Sequence, residues 1–398
     1  MSNYSFEFCT SSKIIFGRGK SNLLPELIRP LGSRIMIITG SSPQRHSVLI
    51  EKIKAAGIYV SLATVSGEPE VEKITEITSL ILRQNCKAVL ALGGGSVLDA
   101  GKAAAILANN PGDIMEYLEV VGEGKALPCA SLPFIAVPTT AGTGSEVTRN
   151  SVITVPSHRV KVSLRSPEML PKIALIDPEL LRECPLTVRV NCSFDALCHL
   201  MEAMISRKAT PFTDMICSYG LQQIRRETLQ TYWNDPQIEE PRCAMAFASL
   251  LGGMALANGG LGAVHGFAGV IGGMFGAPHG AVCAALLAPV LKTNMAVARQ
   301  IEEGNSSEGD LLLAEKMLKQ IEKMTDFFTA GQCREPEKLI TELERLTREN
   351  HVPRLSDMGI KESDLPIIIK KSSQSSSMKG NPFSLSEERL SYILHKAL

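Results

Sequence analysis

Residues 88–102, AVLALGGGSVLDAGK, decide the fold of the first half of the chain. An apolar run leads into three glycines and Ser96, after which a helical pattern begins, with Ser96 as the expected N-cap. Glycines let backbone N–H groups approach a pyrophosphate, and a helix N-terminus adds unpaired donors and a positive dipole end. The stretch therefore predicts a phosphate-binding strand–turn–helix unit. Because it is neither GxGxxG nor a Walker loop, a tight turn without a ligand is the alternative.

A second loop of this kind lies at residues 137–148, VPTTAGTGSEVT. Its four threonines and two glycines offer hydroxyl and N–H groups that suit a diphosphate–ribose, although an ordinary loop is the alternative. Both loops follow a β-type run in the same half of the chain. We therefore expect them to line one crevice at the carboxyl ends of parallel strands.

Short apolar runs alternate with helical patterns through the first half of the chain. Strands are predicted at residues 34–40, 59–65, 88–94, 134–140, 152–155 and 173–176, and helices at 71–85 and 96–110. Apolar strands linked by helices indicate a buried parallel sheet with right-handed crossovers. This α/β architecture suits a nucleotide, although the fold alone implies no function.

Helical patterns alone fill the second half. They cover residues 201–230, 243–258, 280–296, 311–328, 337–350 and 385–398, the last led by Ser384-x-x-Glu387 as a capping box. The change of pattern lies near residues 177–185. We predict an α/β domain over residues 1–183 and an all-helical domain over residues 184–398.

Balanced charge excludes two classes of partner. Lys plus Arg and Asp plus Glu both total 41, so a nucleic-acid binder or a polybasic membrane anchor is not expected. Between Arg242 and Lys292 no Asp, Glu, Lys or Arg occurs. Eleven glycines and two histidines interrupt this stretch, so it predicts helices of a protein core and not a membrane span. The start of the chain lacks a secretory pattern, and the ten cysteines contain no CxxC pair. We expect a cytoplasmic protein.

Four residues are candidate metal ligands. Asp195 and His199 are spaced i, i+4, which puts both on one helix face, where they are either a structural pair or ligands. His265 and His279 lie in the uncharged stretch, where an unpartnered imidazole would be costly. Three neutral nitrogens and one carboxylate suit Fe²⁺ or Zn²⁺ better than Mg²⁺ or Ca²⁺. Spacing alone does not prove that the four converge.

These motifs resemble the iron-containing (group III) alcohol dehydrogenase family. The resemblance is carried by GGGSVLDAGK, PTTAGTGSEVT, DALCH and HGFAGVIGGMFGAPHG, and extends to FGRG, SPEMLPKIALIDPELL and NPFSLSEE, which span essentially the whole chain. It implies an N-terminal Rossmann-like domain that binds NAD(P) and an all-α C-terminal domain that holds the metal. Dehydroquinate synthases share this fold. The resemblance also implies that the active site lies in the cleft between the two domains.

The resemblance also implies roles for individual residues. Asp195, His199, His265 and His279 match the family's metal ligands, and its cofactor contacts match Gly94, Gly95, Ser96, Asp99, Thr139, Thr140, Thr148 and Lys161. The implied reaction interconverts an alcohol and its aldehyde or ketone by hydride transfer, with the metal as a Lewis acid on the substrate oxygen. A homodimer or larger assembly is implied as well.

Two positions depart from the family pattern. Members that prefer NAD commonly end the first strand of the nucleotide fold with an acidic residue, where this chain has Gly40 followed by Ser41 and Ser42. Losing that carboxylate removes repulsion of a 2′-phosphate, so we predict that NADP is accepted. Many members also carry a histidine four residues after the third ligand, where Gly269 stands here. The proton then leaves through water or cofactor hydroxyls, or the substrate differs.

Two other functions are alternatives. A dehydroquinate synthase type of enzyme uses NAD and a metal without net redox change, but its motifs are absent from this sequence. A metal- or nucleotide-binding module without catalysis would not need both a loop pair and a complete ligand set. The sequence leaves open the substrate and the choice between Fe²⁺ and Zn²⁺.

Overall fold

A six-stranded parallel sheet organises one of the two compact units of this computed structural model, which describes residues 5–304 and 306–398. This unit is Cys9–Cys184, and the other unit combines residues 5–8 with Pro185–Leu398. In spatial order the strands are β1 (Ile14–Phe16), β8 (Ile173–Ile176), β5 (Phe134–Pro138), β4 (Ala88–Gly93), β2 (Arg34–Gly40) and β3 (Tyr59–Val65).

Both faces of this sheet are buried. On β2, Met36 and Ile38 pack into one hydrophobic core, whereas Ile35 and Ile37 pack into the other. Successive side chains of a strand point to opposite faces, so a strand between two cores must be apolar throughout. This is why the unbroken apolar runs predict a covered parallel sheet, and the predicted fold class is confirmed.

The strand order creates a switch point in the sheet. From β2 the chain moves outward to β3, and from β4 it moves in the opposite direction to β5. The loops after β2 and β4 therefore diverge, which leaves a crevice beyond the carboxyl ends of these strands. Both predicted phosphate loops begin beside this point, since the last residues of β4 and β5, Gly93 and Pro138, are paired.

The predicted strand at residues 152–155 does not belong to the parallel sheet. It lies in β6 (Asn150–Val155), which forms a separate antiparallel hairpin with β7 (Val160–Arg165). Neither β7 nor β1 was predicted, because β1 has only three residues and the sequence of β7, VKVSLR, alternates apolar with polar residues and contains no continuous apolar run. The predicted cap of the next helix is also wrong: its N-cap is Gly94, without a side-chain hydrogen bond, and not Ser96.

Helices cover the sheet and build the second unit. In the α/β unit they are α1 (Leu24–Ile28), α2 (Ser47–Ala55), α3 (Val71–Arg83), α4 (Gly95–Leu107) and α5 (Ile114–Tyr117). In the helical unit they are α6 (Leu186–Ile205), α7 (Pro211–Gln223), α8 (Arg226–Asn234), α9 (Glu239–Gly259), α10 (Ala263–Phe275), α11 (His279–Glu303), α12 (Glu308–Phe328), α13 (Pro336–Glu349), α14 (Leu365–Ser372) and α15 (Glu387–Ala397).

The predicted helix at residues 201–230 is wrong, because three helices share this range. α7 has its own start signal: Thr210 is an N-cap that accepts from the N–H of Thr213, and Pro211 occupies the first turn. The predicted capping box at Ser384 is also misplaced. The N-cap of α15 is Ser386, whose hydroxyl accepts from the N–H of Arg389.

The uncharged stretch forms core helices. α11 is long and apolar enough to cross a membrane by composition, but 78% of its most apolar window is buried within the protein. α9 and α10 would meet the same test only as one span, and the chain bends by 98° between them. Burial against neighbouring helices accounts for this composition.

Residues near the N-terminus pack within the helical unit. The ring of Phe8 lies edge-on to that of Phe212, with centroids 4.6 Å apart, and Phe6 stacks on Phe212 at 5.9 Å. This aromatic group ties residues 5–8 to the start of α7. Residues 5–8 thus belong to the same unit as Pro185–Leu398.

Candidate functional site

Three helices bring the four predicted metal ligands together. Asp195 and His199 lie one turn apart on α6, His265 lies in the first turn of α10, and His279 is the first residue of α11. The Oδ1 of Asp195 is 3.5 Å from the Nε2 of His199, 3.2 Å from that of His265 and 3.6 Å from that of His279. Three imidazole nitrogens therefore surround one buried carboxylate oxygen.

A fifth side chain, Cys283, lies at the same point. The closest mutual set consists of donor atoms of Asp195, His265, His279 and Cys283, all within 4.8 Å of one another. His199 is outside this set, but its ring stacks on that of His265 with centroids 4.7 Å apart. Cys283 is not among the residues predicted from the sequence, although its spacing from His279 repeats that of the first ligand pair.

The distances in this cluster suit a bound metal ion. Metal–nitrogen and metal–oxygen bonds of about 2.0–2.1 Å at tetrahedral angles put neighbouring ligand atoms about 3.3 Å apart. The separations from Asp195 Oδ1 to the three imidazoles are 3.2–3.6 Å. Nitrogen-rich ligation with one carboxylate fits Fe²⁺ or Zn²⁺. The residues present therefore fit the predicted kind of metal.

The electrostatics of the cluster favour an anionic Asp195. Burial alone would raise the pKa of its carboxyl group, but His199, His265 and His279 face it and together hold that pKa well below its usual range. An ionised carboxylate is the form that binds a cation. The site thus presents its single negative charge where the imidazoles converge.

Glu202 orients one imidazole from behind. Its Oε2 accepts from the Nδ1 of His265 at 2.7 Å, and its Oε1 accepts from the N–H of Val264 at 2.7 Å. Because Nδ1 is engaged, Nε2 faces Asp195, which is the carboxylate–imidazole arrangement common behind metal ligands. Glu202 was not predicted from the sequence either, although it shares a face of α6 with Asp195 and His199.

The two predicted cofactor loops lie side by side in the α/β unit. Gly94, Gly95 and Ser96 join β4 to α4, while Thr139 and Thr140 follow β5. The N–H of Thr139 donates to the carbonyl oxygen of Gly93 at 2.9 Å. A Cβ at position 95 would lie 2.6 Å from the side chain of Thr143, so only glycine allows this approach.

Asp99 and Thr148 tie the second loop to α4. The carboxylate of Asp99 accepts from the hydroxyl of Ser145 at 2.5 Å and from the N–H of Val152 at 2.8 Å. Lys102, fully buried, donates to the Oγ1 of Thr148 at 2.9 Å and lies 3.1 Å from Asp99. These residues therefore make their contacts within the protein and fix the loops relative to each other.

The remaining predicted positions lie elsewhere. Lys161, on β7, makes an ion pair of 3.0 Å with Glu68. Gly40 ends β2 beside β4, and among the described residues no atom lies within 4 Å of where its Cβ would be. The same holds for Gly269 on α10. Both glycines thus leave open space where larger side chains would fit.

The fold and site define a class of enzyme: a dehydrogenase with a nucleotide-binding α/β unit and a helical unit that holds a histidine-rich metal site. Two family models match the chain, "Iron-containing alcohol dehydrogenase" over residues 11–178 and "Fe-containing alcohol dehydrogenase family, C-terminal" over residues 189–398. The chain belongs to the iron-containing alcohol dehydrogenase family. The predicted family, enzyme class and metal and nicotinamide cofactors are confirmed at this level.

Named relatives match over almost the full length. The 1,3-propanediol dehydrogenase of Klebsiella pneumoniae is 30% identical over 100% of both chains. The NAD-dependent methanol dehydrogenase of Bacillus methanolicus is 29% identical over 96% of this chain and 97% of its own. A crystal structure of 1,3-propanediol oxidoreductase superposes with a TM-score of 0.88 at 28% identity, covering 99% of this chain and 100% of the other.

Proposed function

We propose that this enzyme interconverts a small alcohol and its aldehyde or ketone at a divalent ion bound by Asp195, His199, His265 and His279. The observation that carries the proposal is the approach of three imidazole nitrogens to within 3.6 Å of Asp195 Oδ1. When bound, the ion would supply Lewis acidity to the substrate oxygen, and NAD(P) would supply the hydride acceptor or donor. We assign residues 1–183 to cofactor binding and residues 184–398 to the metal.

The protein side chains position the reacting groups. Among these four donors only Asp195 is anionic, so with these four alone about one positive charge of a divalent ion would remain to act on the substrate oxygen. Glu202 holds the ring of His265 in place. The side chain of His279 is 34% exposed, whereas those of Asp195, His199 and His265 are almost fully buried. The substrate therefore enters from the side of His279.

No side chain is assigned as the proton relay. Position 269, four residues after His265, is a glycine with open space around it. Water in that space takes the alcohol proton in our proposal, with cofactor hydroxyls as the other route. This leaves the metal ligands as the residues on which catalysis depends most directly.

Replacing His265 by Ala tests the metal site. The variant loses a central nitrogen donor, so it should lose bound metal and activity together while remaining folded. The assay is an alcohol and aldehyde panel with NAD and NADP after anaerobic reconstitution with Fe²⁺ or Zn²⁺, alongside metal analysis and circular dichroism. His395→Ala is the matched control, since the side chain of His395 on α15 is 46% exposed, and this variant should behave as wild type.

Either of two outcomes would contradict the proposal. Full turnover by metal-free His265→Ala would remove the metal from the reaction. Turnover without lasting change in nicotinamide absorbance would indicate a reaction with no net redox change, as in the dehydroquinate synthase type.

We propose that the two dinucleotide-binding loops bind different parts of the cofactor. The backbone N–H groups of Gly94, Gly95 and Ser96 bind the pyrophosphate, and the hydroxyls of Thr139 and Thr140 bind the adjoining part of the cofactor. Asp99 and Thr148 hold these loops together through Ser145 and Lys102. The ammonium group of Lys161 contacts the bound cofactor. It either keeps its ion pair with Glu68 or gives that ion pair up when the cofactor binds.

We also propose that the enzyme accepts NADP as well as NAD. Gly40 ends β2 next to the switch point, has no carboxylate to repel a 2′-phosphate and leaves space for one. Wild type should therefore have kcat/KM with NADP at least comparable to that with NAD. Gly40→Asp should lower kcat/KM with NADP by about tenfold or more, a difference of 1.4 kcal/mol, without lowering that with NAD.

The control for Gly40→Asp is Gly40→Asn, which adds a similar volume without charge. A similar loss of NADP use in both variants would indicate steric exclusion and not charge. If wild type favours NAD by a wide margin, the NADP proposal is wrong.

We infer, finally, a cytoplasmic homodimer or larger homo-oligomer without nucleic-acid or membrane partners. The family resemblance and the balanced charge support this inference. Light scattering of the purified protein measures the assembly, and a monomer at assay concentration would contradict it.

A further inference from the structure

Cys283 has a position that packing alone does not require. It lies on α11, one turn after His279, and its side chain is fully buried. Its Sγ lies 3.8 Å from Asp195 Oδ1, 3.8 Å from His265 Nε2 and 3.7 Å from His279 Nε2. The sulfur is thus nearly equidistant from three polar donor atoms, all of which belong to the proposed metal site.

These separations are those of ligands around one ion. Five donors around one ion subtend angles of about 90–120°, at which a metal–sulfur bond of about 2.3 Å and a metal–nitrogen bond of about 2.05 Å put sulfur and nitrogen about 3.1–3.8 Å apart. The observed 3.7–3.8 Å distances from the sulfur lie at the upper end of this range. The Sγ of Cys283 therefore lies where a further donor to the same ion would be placed.

We propose that the Sγ of Cys283 is a further donor to the metal, which makes this a mixed nitrogen, oxygen and sulfur site. The inference rests on the proposed metal function and adds a ligand to it. Coordination as a thiolate would release the thiol proton to solvent and leave the oxidation state of the metal unchanged. The second anionic donor would also offset the positive charge that the four-donor site leaves. With a soft sulfur donor, the site should bind Zn²⁺ and Co²⁺ more tightly than the same site would with nitrogen and oxygen donors alone.

Spectroscopy of the full-length protein with one equivalent of Co²⁺ tests the sulfur donor. We expect visible d–d bands together with a near-ultraviolet sulfur-to-cobalt charge-transfer band in wild type. Cys283→Ser should keep the d–d bands and lose the charge-transfer band, and its Zn²⁺ affinity in chelator competition should fall about tenfold or more. Cys217→Ser, another fully buried thiol of the helical unit, should keep both features.

A measurement on the wild-type protein tests the sulfur donor without relying on a variant that could misfold. X-ray absorption of the zinc-loaded enzyme should show one sulfur scatterer at about 2.3 Å beside nitrogen and oxygen at about 2.0–2.1 Å. A stoichiometric zinc or cobalt site with only nitrogen and oxygen scatterers would overturn the sulfur donor and leave the proposed function intact. Failure of wild type to bind either metal would overturn both.

Discussion

Glu146 shows how a single buried carboxyl group can make stability depend on pH. It lies in the second cofactor loop and is 2% exposed. Burial raises its pKa from 4.5 to about 7, although its own backbone N–H and the charge of Lys102 oppose this shift. The folded protein therefore holds this proton more tightly than the unfolded chain.

Glu146→Gln should remove that pH dependence. Because the folded pKa is raised, the group's favourable contribution is complete below about pH 4.5 and is lost as the pH rises through about 7. Relative to wild type, the free energy of unfolding of the variant should rise by up to about 3 kcal/mol across this window. Urea titrations at several pH values measure it, with exposed Glu72→Gln as control. A constant difference between wild type and Glu146→Gln would contradict the assignment.

At the scale of the element, the start of α11 depends on a close approach to α6. A Cβ on Gly280 would lie 2.3 Å from the backbone carbonyl oxygen of Asn191, which cannot move as a side chain would. Gly280→Ala should therefore cost about 1–3 kcal/mol of stability and displace His279, which precedes it. Urea denaturation measures the stability, and the metal affinity should fall with it.

Gly269→Ala is the matched control for the neighbouring helix. Position 269 lies within α10, and apart from its chain neighbours and the backbone of its own helix no described atom lies within 4 Å of the added Cβ. Alanine should raise stability by about 0.5–1 kcal/mol, since glycine is the poorer helix former. Equal effects of the two substitutions would indicate that the contact with Asn191 is not what constrains α11.

Elements could be predicted where local pattern and burial agree. β2 and β3 have the predicted bounds. β2 is buried on both faces, as its apolar run predicts, whereas β3 is the edge strand and is only partly buried. The prediction of one helix over residues 201–230 was wrong because the breaks before α7 and α8 depend on capping by Thr210 and on local turns. Helical periodicity does not reveal either of these. The strand at residues 152–155 was predicted, but its antiparallel pairing with β7 was not, because an apolar run does not reveal its pairing partner.

In the site, too, some residues could be predicted from the sequence and others could not. Residue type and i, i+4 spacing suffice to nominate Asp195 and His199, and an uncharged setting nominates His265 and His279. Cys283 and Glu202 needed the packing of α6 against α10 and α11, since a thiol or a glutamate on a helix is ordinary until its neighbours are known.

For the whole molecule, we expect metal and cofactor to protect different units. The donors lie on α6, α10 and α11, and no such site exists in an unfolded chain. Zn²⁺ at about 100 times its Kd should stabilise by about 2.7 kcal/mol and slow amide exchange first in these helices. NADP should slow exchange first around β4 and β5. Hydrogen-exchange mass spectrometry measures both, and protection by Zn²⁺ confined to the sheet would contradict the expectation.

The aromatic contacts of Phe6 and Phe8 with Phe212 bear on how the protein is made. Some 200 residues separate these rings in the chain, and translation adds about 5–20 residues per second. Phe6 and Phe8 therefore leave the ribosome roughly 10–40 s before Phe212 is synthesised. During that interval the α/β unit can fold behind them while two apolar rings stay exposed. A nascent chain stalled before residue 212 should accordingly present its first residues to chaperones, and release them once α7 has emerged.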